Sequence, residues 1–240
     1  MPVAFGSATS AQELSGDGVL SLTHTENGAN RAAFAGVGII ATNAEQNSTG
    51  VTYGGTAMTE MTDTPVGFNT GQATYRLAGI ATGAQTVTST IVDTTPFTHF
   101  LGVISMTDVD QTTPVGTPVS ATGTLSPATV TVGSVGADDL VVDNLMLGGA
   151  LAAPAIGADQ TQRYTESEAP NGGEGRGSTQ PGTAGGVMSW TFALNPIDGW
   201  GIGAVAFKPA AAANLSVNLA GRGGLAGIGG LAGQGGGLVA

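Results

Sequence analysis

From residue 1 to about 209 the chain keeps one rhythm. Runs of Val, Thr, Ile and aromatic residues, each of strand length, are closed by Gly, Pro, Asn or Asp roughly every ten residues. β-Branched side chains lose rotamer freedom in a helix and pack well on a pleated surface, so the rhythm favours strands. No window carries a capped 3.6-residue period, which leaves no helical layer to expect. Many short strands at even spacing suit sandwiches and barrels. The expectation is all-β: an antiparallel, jelly-roll-like sandwich over residues 1–209, followed by a C-terminal arm over 210–240.

Individual runs sharpen this. Residues 19–25 alternate, with Leu20 and Leu22 on one face and Ser21 and Thr23 on the other. Residues 31–42 are more apolar. Gly54-Gly55 separates 51–53 from 57–61 as a hairpin turn would. Residues 73–80 and 85–92 are expected to pair. Residues 97–106 (FTHFLGVISM) are apolar on both faces, which suits a central strand. Residues 130–132 and 140–147 follow, then a small-residue connection over 148–157 and a short polar strand over 161–167. Residues 169–186 are rich in Gly, Ser and Pro and are expected to form an exposed loop. Residues 187–194 and 201–207 are expected to close the body as an antiparallel pair.

Composition narrows the function classes. The chain has 240 residues, a formal charge of −11 and a single lysine, Lys208. It has no basic footprint, so neither nucleic acid nor an anionic membrane is an expected partner. The absence of cysteine excludes disulfides and thiolate metal sites. The opening MPVAFGSATS has neither a basic nor an apolar leader region, so no Sec signal is expected.

Catalytic signals are sparse. The two histidines, His24 and His99, fall within strands, where a structural role is the default. There is no G-x-S-x-G elbow, H-E-x-x-H pair or Walker loop. Asp108 with Asp110, Asp138 and Asp139 with Asp143, and Glu166 with Glu168 and Glu174 are candidate Ca²⁺ or acid–base clusters. Asp108 and Asp110, two apart in extended chain, would face one side. The plainer reading is that such acids cap turns. Trp190 lies in phase with Met188 and Phe192, and Trp200 with Ile202 and Ala204, so both belong in the core. No catalytic residue, metal or cofactor is expected.

The last twenty residues, GRGGLAGIGGLAGQGGGLVA, break the rhythm. Leu225, Ile228 and Leu231 recur every three residues, the repeat of a polyproline-II rod, which would set them on one side. A glycine-rich linker is the alternative reading. Upstream, 214–219 (NLSVNL) has the pattern of a strand added to an edge. An arm with spaced apolar residues (Leu225, Ile228, Leu231 and Leu238) suits an assembly interface.

Several segments together resemble a β-sandwich module of bacteriophage virion proteins and of uncharacterised bacterial surface or secreted proteins. They are MPVAFGSATS, NRAAFAGVGI (30–39), VTYGGTAMT (51–59), GVISMTDVDQTTPVGTP (102–118), GADDLVVDNL (136–145) and GGVMSWTFALNPIDGWGIGAVAFKP (185–209). The resemblance implies a sandwich with no catalytic residue to carry over, and it leaves out the arm. With the acidic, lysine-poor body, it leads to the expectation of a non-catalytic virion structural protein. A capsid decoration or head-associated protein on the capsid exterior fits best, partnered by other capsid subunits or by copies of itself. The alternative is a carbohydrate-binding or adhesion module on a virion or cell surface, with a glycan as partner.

Overall fold

The computed structural model describes residues 1–14, 17–41, 48–67, 70–92, 97–149, 154–168, 173–192 and 199–211. The first half carries β1 (Ala4–Leu14), β2 (Val19–Glu26), β3 (Ala32–Ala41), β4 (Ser48–Tyr53), β5 (Thr56–Ala57), β6 (Thr59–Gly67), β7 (Thr70–Ala78), β8 (Gly83–Ile91) and β9 (Phe97–Thr107). The second carries β10 (Val119–Gly123), β11 (Ala128–Thr131), β12 (Leu140–Gly148), β13 (Ala155–Ile156), β14 (Thr161–Ser167), β15 (Glu174–Pro181), β16 (Val187–Thr191) and β17 (Gly199–Phe207). Among the described residues the only helical turn is a 3-10 turn at Gly182–Ala184.

The antiparallel all-β sandwich expected from the sequence is present, and it occurs twice. In the first half an inner sheet runs β1-β9-β3-β7-β6 and an outer sheet β2-β8-β4-β5. In the second half the inner sheet runs β10-β17-β12-β15-β14 and the outer sheet β11-β16-β13. Exchanging each strand for its counterpart converts one half into the other, with β5 as the only strand left over. The first half, with strands 1-9-3-7 facing 2-8-4-5, has the two interlocked Greek keys of a jelly roll.

The four sheets form four layers, because the central strands of the inner sheets, β3, β12 and β17, bury both faces while the outer strands alternate. On β3, Ala33, Ala35, Val37 and Ile39 face the outer sheet of the first half, in a core with Tyr53, Tyr75, Val87 and Leu101. Phe34, one residue out of phase, enters the seam between the two inner sheets with Ile104, Met106, Val142, Val205 and Phe207. The second outer core gathers Val141, Leu145, Met188, Trp190, Trp200 and Ile202. Layers this close need small residues at the crossings. A methyl group at Gly36 would overlap Asn144, one at Gly102 would overlap Tyr164, and one at Gly203 would press on Gln72, Thr62 and Thr74.

The jelly-roll winding corrects three expectations. Residues 73–80 and 85–92 do not pair: β7 bonds β3 and β6, while β8 bonds β2 and β4 in the opposite sheet. Likewise β16 bonds β11 and β13, and β17 bonds β10 and β12. Both connections cross between sheets instead of turning back as hairpins. The expected loop over 169–186 contains β15, an almost wholly buried strand between β12 and β14. At Gly177 the Tyr164 ring leaves no room for a Cβ, and at Gly175 a Cβ would press on Phe100, so its glycines reflect close packing rather than exposure. The expected hairpin at Gly54-Gly55 is present between β4 and β5, as is the polar strand at 161–167.

Candidate functional site

The polar chemistry of the first half gathers where β1, β2 and β9 meet. A bulge in β1 between Phe5 and Ala8 turns Ser7 toward the fully buried His24. Ser7 Oγ lies 3.1 Å from His24 Nε2, and Thr9 Oγ1 lies 2.8 Å from Nδ1. Ser7 Oγ also donates to the Thr25 carbonyl at 2.6 Å. The short Ser7–Thr25 bond takes up the one hydroxyl proton, an arrangement that suits the tautomer in which Nε2–H donates to Ser7 and Nδ1 accepts from Thr9. Burial holds His24 below its usual pKa against the opposing pull of Glu26, which favours this neutral form.

Glu26 completes the network. It accepts from Ser105 Oγ at 2.6 Å and from the amides of Asn27 and Gly28. Burial pushes the Glu26 carboxyl up, but these hydrogen bonds outweigh it and the net shift is downward. His99, on β9, is fully buried against Ser89 Oγ at 2.9 Å, and burial lowers it to about 4.

The second half is pinned by an acid. Asp143, on β12, is fully buried and accepts from Ser178 N at 2.7 Å, Ser178 Oγ at 2.8 Å and Trp190 Nε1 at 2.7 Å. Burial pushes it up to about 7, while the Trp190 and Ser178 donors pull it back. Gln160 extends the pin from Ser178 Oγ to Ser189 N. Sequence periodicity places Trp190 in the core and Asp143 among the candidate acids, but not the two together. The signal for the pair was an aspartate inside the apolar run LVVDNLML, where an unpartnered acid would be costly.

The other acids disperse. Asp108 takes a left-handed turn, φ 59°, so it does not share an extended face with Asp110. Asp110 caps Thr112 and Thr113, and Asp139 caps Gly136, as turn acids do. Glu166 accepts from Ser10, Glu168 from Thr98, and Glu174 pairs with Arg176 at 2.7 Å. Among the described residues, no three His, Asp or Glu side chains converge as metal ligands. Trp190 and Trp200 are both core residues, as their phase predicts. Leu225, Ile228, Leu231 and Leu238, and the possible strand over 214–219, lie outside the described residues.

Two open grooves are found among the described residues. One, of ≈ 510 Å³, lies beside Val115, Val119 and Lys208. The other, at the edge of the first outer sheet, encloses ≈ 470 Å³ and combines the inward-facing Val51 and Met58 with an outer face of Ala57, Thr49, Thr52, Thr88 and Thr90. Glu60 and Tyr75 lie at its margin, with Tyr75 Oη donating to Glu60 Oε2 at 3.3 Å. It opens where β5 stops: β5 pairs only Thr52 and Tyr53 of β4, and Met58 N reaches Val51 O. Among the described residues, no backbone bond continues that pairing to Ser48, Thr49 or Gly50. Ser48 Oγ, at this open edge, is buried without a partner.

No family model and no curated protein matches the chain, so its site is read from its own residues.

Proposed function

We propose that the chain is a non-catalytic structural protein of a virion, most simply a capsid decoration or head-associated protein that works through assembly with copies of itself or with other capsid subunits. One observation carries the reading. The buried Ser, His and Asp side chains best suited to chemistry lock strands together: His24 joins β2 to β1, His99 joins β9 to β8, and Asp143 joins β12 to β15 and β16. Two jelly rolls stacked through a glycine-studded seam then act as a stiff block. The test is immunogold labelling of intact particles from the source of the gene, with antibody raised against the body. Labelled particle exteriors support the reading; unlabelled particles that also lack the chain by mass spectrometry sink it.

A second reading, a carbohydrate-binding module, draws on the groove, whose hydroxyls, carboxylate and tyrosine suit sugar recognition. A glycan array with and without Ca²⁺ tests it, and a blank array removes it.

A further inference from the structure

The groove and the last described residues of the chain lie at opposite ends of the molecule. The described chain leaves beside β9 and β3: Ala210 N donates to Asp108 O, and Asp108 N donates to Ala29 O. The open part of β4 is at the other end, where Ser48 pairs with Ile91 and Gly50 with Thr90, the last residues of β8. The first residue of β8, Gly83, pairs with Glu26 near the chain exit. Nine extended residues separate the two ends by roughly 30 Å.

We propose that Asn214–Leu219 of a second copy docks in this groove as an added strand beside β4, joining copies head to tail. The proposal builds on the assembly reading above and names its contact. The segment NLSVNL is uncharged and alternates. As a strand, its Leu215, Val217 and Leu219 meet Val51 and Met58, while Ser216 and Asn218 join Ala57 and the outer threonines. Main-chain bonds to Ser48–Gly50 extend the sheet, as an extended segment does at any open edge. The segment cannot come from the same molecule: Leu215 lies four residues past Ala211, a reach of at most ~14 Å.

The surface beside the groove agrees. Among the described residues six large apolar side chains are exposed: Met1, Leu14, Val19, Val92, Leu125 and Val187. Two of them lie next to it: Val19 pairs with Thr90, which lines the groove, and Val92 follows β8. An apolar groove at one end and a donor segment leaving from the other make a heterologous interface, which propagates as a ring or a filament.

The chain has no cysteine, so a disulfide can report the contact without background. Full-length Thr49→Cys protein is mixed with full-length Ser216→Cys or Asn218→Cys protein under mild oxidation. Thr49 and these two positions share the outer face, within the span a disulfide bridges between neighbouring strands. The expected result is a cross-linked species of twice the chain mass, formed in the mixture at least tenfold faster than with Thr49→Cys alone. In parallel, Val217→Asp in the full chain should return assembled protein to single-chain mass by light scattering. A mixture that cross-links no faster than the single variant overturns the proposal. So does a Val217→Asp protein that assembles normally, or a neutral oligosaccharide that occupies the groove without dispersing the oligomer. These outcomes leave the particle-labelling test untouched, so the virion reading and the strand contact fail separately.

Discussion

The two jelly rolls share one winding and differ in how their outer sheets end. In the first, β4 runs on past a two-residue β5 through Ser48–Gly50, with Thr49 exposed. In the second, β13 is only two residues long, and side chains bond the rest of β16 in its place: Ser189 N donates to Gln160 Oε1 at 2.8 Å, and Gln180 Nε2 donates to Val187 O at 3.2 Å. An unpaired strand edge is a template for association unless something covers it. Glutamine amides bond β16 beyond the end of β13, whereas among the described residues no main chain pairs with β4 beyond the end of β5. Repetition of a fold therefore does not imply repetition of a binding edge.

The buried polar centres diverge in the same way. A neutral histidine sits in the first outer core, and an aspartate held by three donors sits in the second. The largest effect is expected from Trp190→Ala, which empties the second core and strips a donor from Asp143. It should cost about 4 kcal/mol, against about 3 kcal/mol for Leu101→Ala in the first core. Urea unfolding curves of the two variants check this, and a smaller loss for Trp190→Ala would remove Asp143–Trp190 as the pin of the second half.

Next comes an opposite response to pH. An exposed histidine titrates near 6.5 and His99 near about 4, so the first half loses stability as pH falls from 6.5 to about 4, by roughly 3 kcal/mol. Asp143 moves the other way, from 3.8 to about 7, so the second half loses stability as pH rises over that window, by roughly 4 kcal/mol. Both tryptophans belong to the second half, so their fluorescence in urea reports it alone, while amide exchange reports the first. A fluorescence midpoint that climbs between pH 4 and 7 contradicts the assignment to Asp143.

Smaller again is the seam that both halves share. Gly102→Ala sets a methyl against the Tyr164 ring and should cost about 2 kcal/mol. A thermal melt unchanged from the parent protein would mean that the inner sheets are looser than their glycines suggest. Thr88→Ala, on the outer face, is the reference at within about 0.5 kcal/mol.

Much of the fold was legible in the chain. Alternation gave β2, the doubly apolar run gave β9, and Gly54-Gly55 gave its hairpin. The in-phase neighbours of Trp190 and Trp200 placed both in the core. What misled was locality. Adjacent runs at 73–80 and 85–92 look like a hairpin, because sequence shows neighbours in the chain and not which sheet each joins. β15 looked like a loop because its glycines were weighed without the rings of Phe100 and Tyr164 that occupy the space above them. Of the candidate sites, the acids were correctly suspected of capping turns at Asp110 and Asp139. The groove left no local mark, since its lining comes from five separate strands.

The sequence by itself determined that this protein is built of strands, that its tryptophans turn inward, and that it is acidic, at a formal −11 with a single lysine. Those properties follow from side-chain periodicity and charge, which act over a few residues. Only the tertiary structure decided that the winding is repeated, that Asp143 meets Trp190 and Ser178, and that glutamine amides bond β16 beyond the end of β13. Each of those depends on bringing together residues tens of positions apart, and no local pattern encodes which distant partner a strand will find.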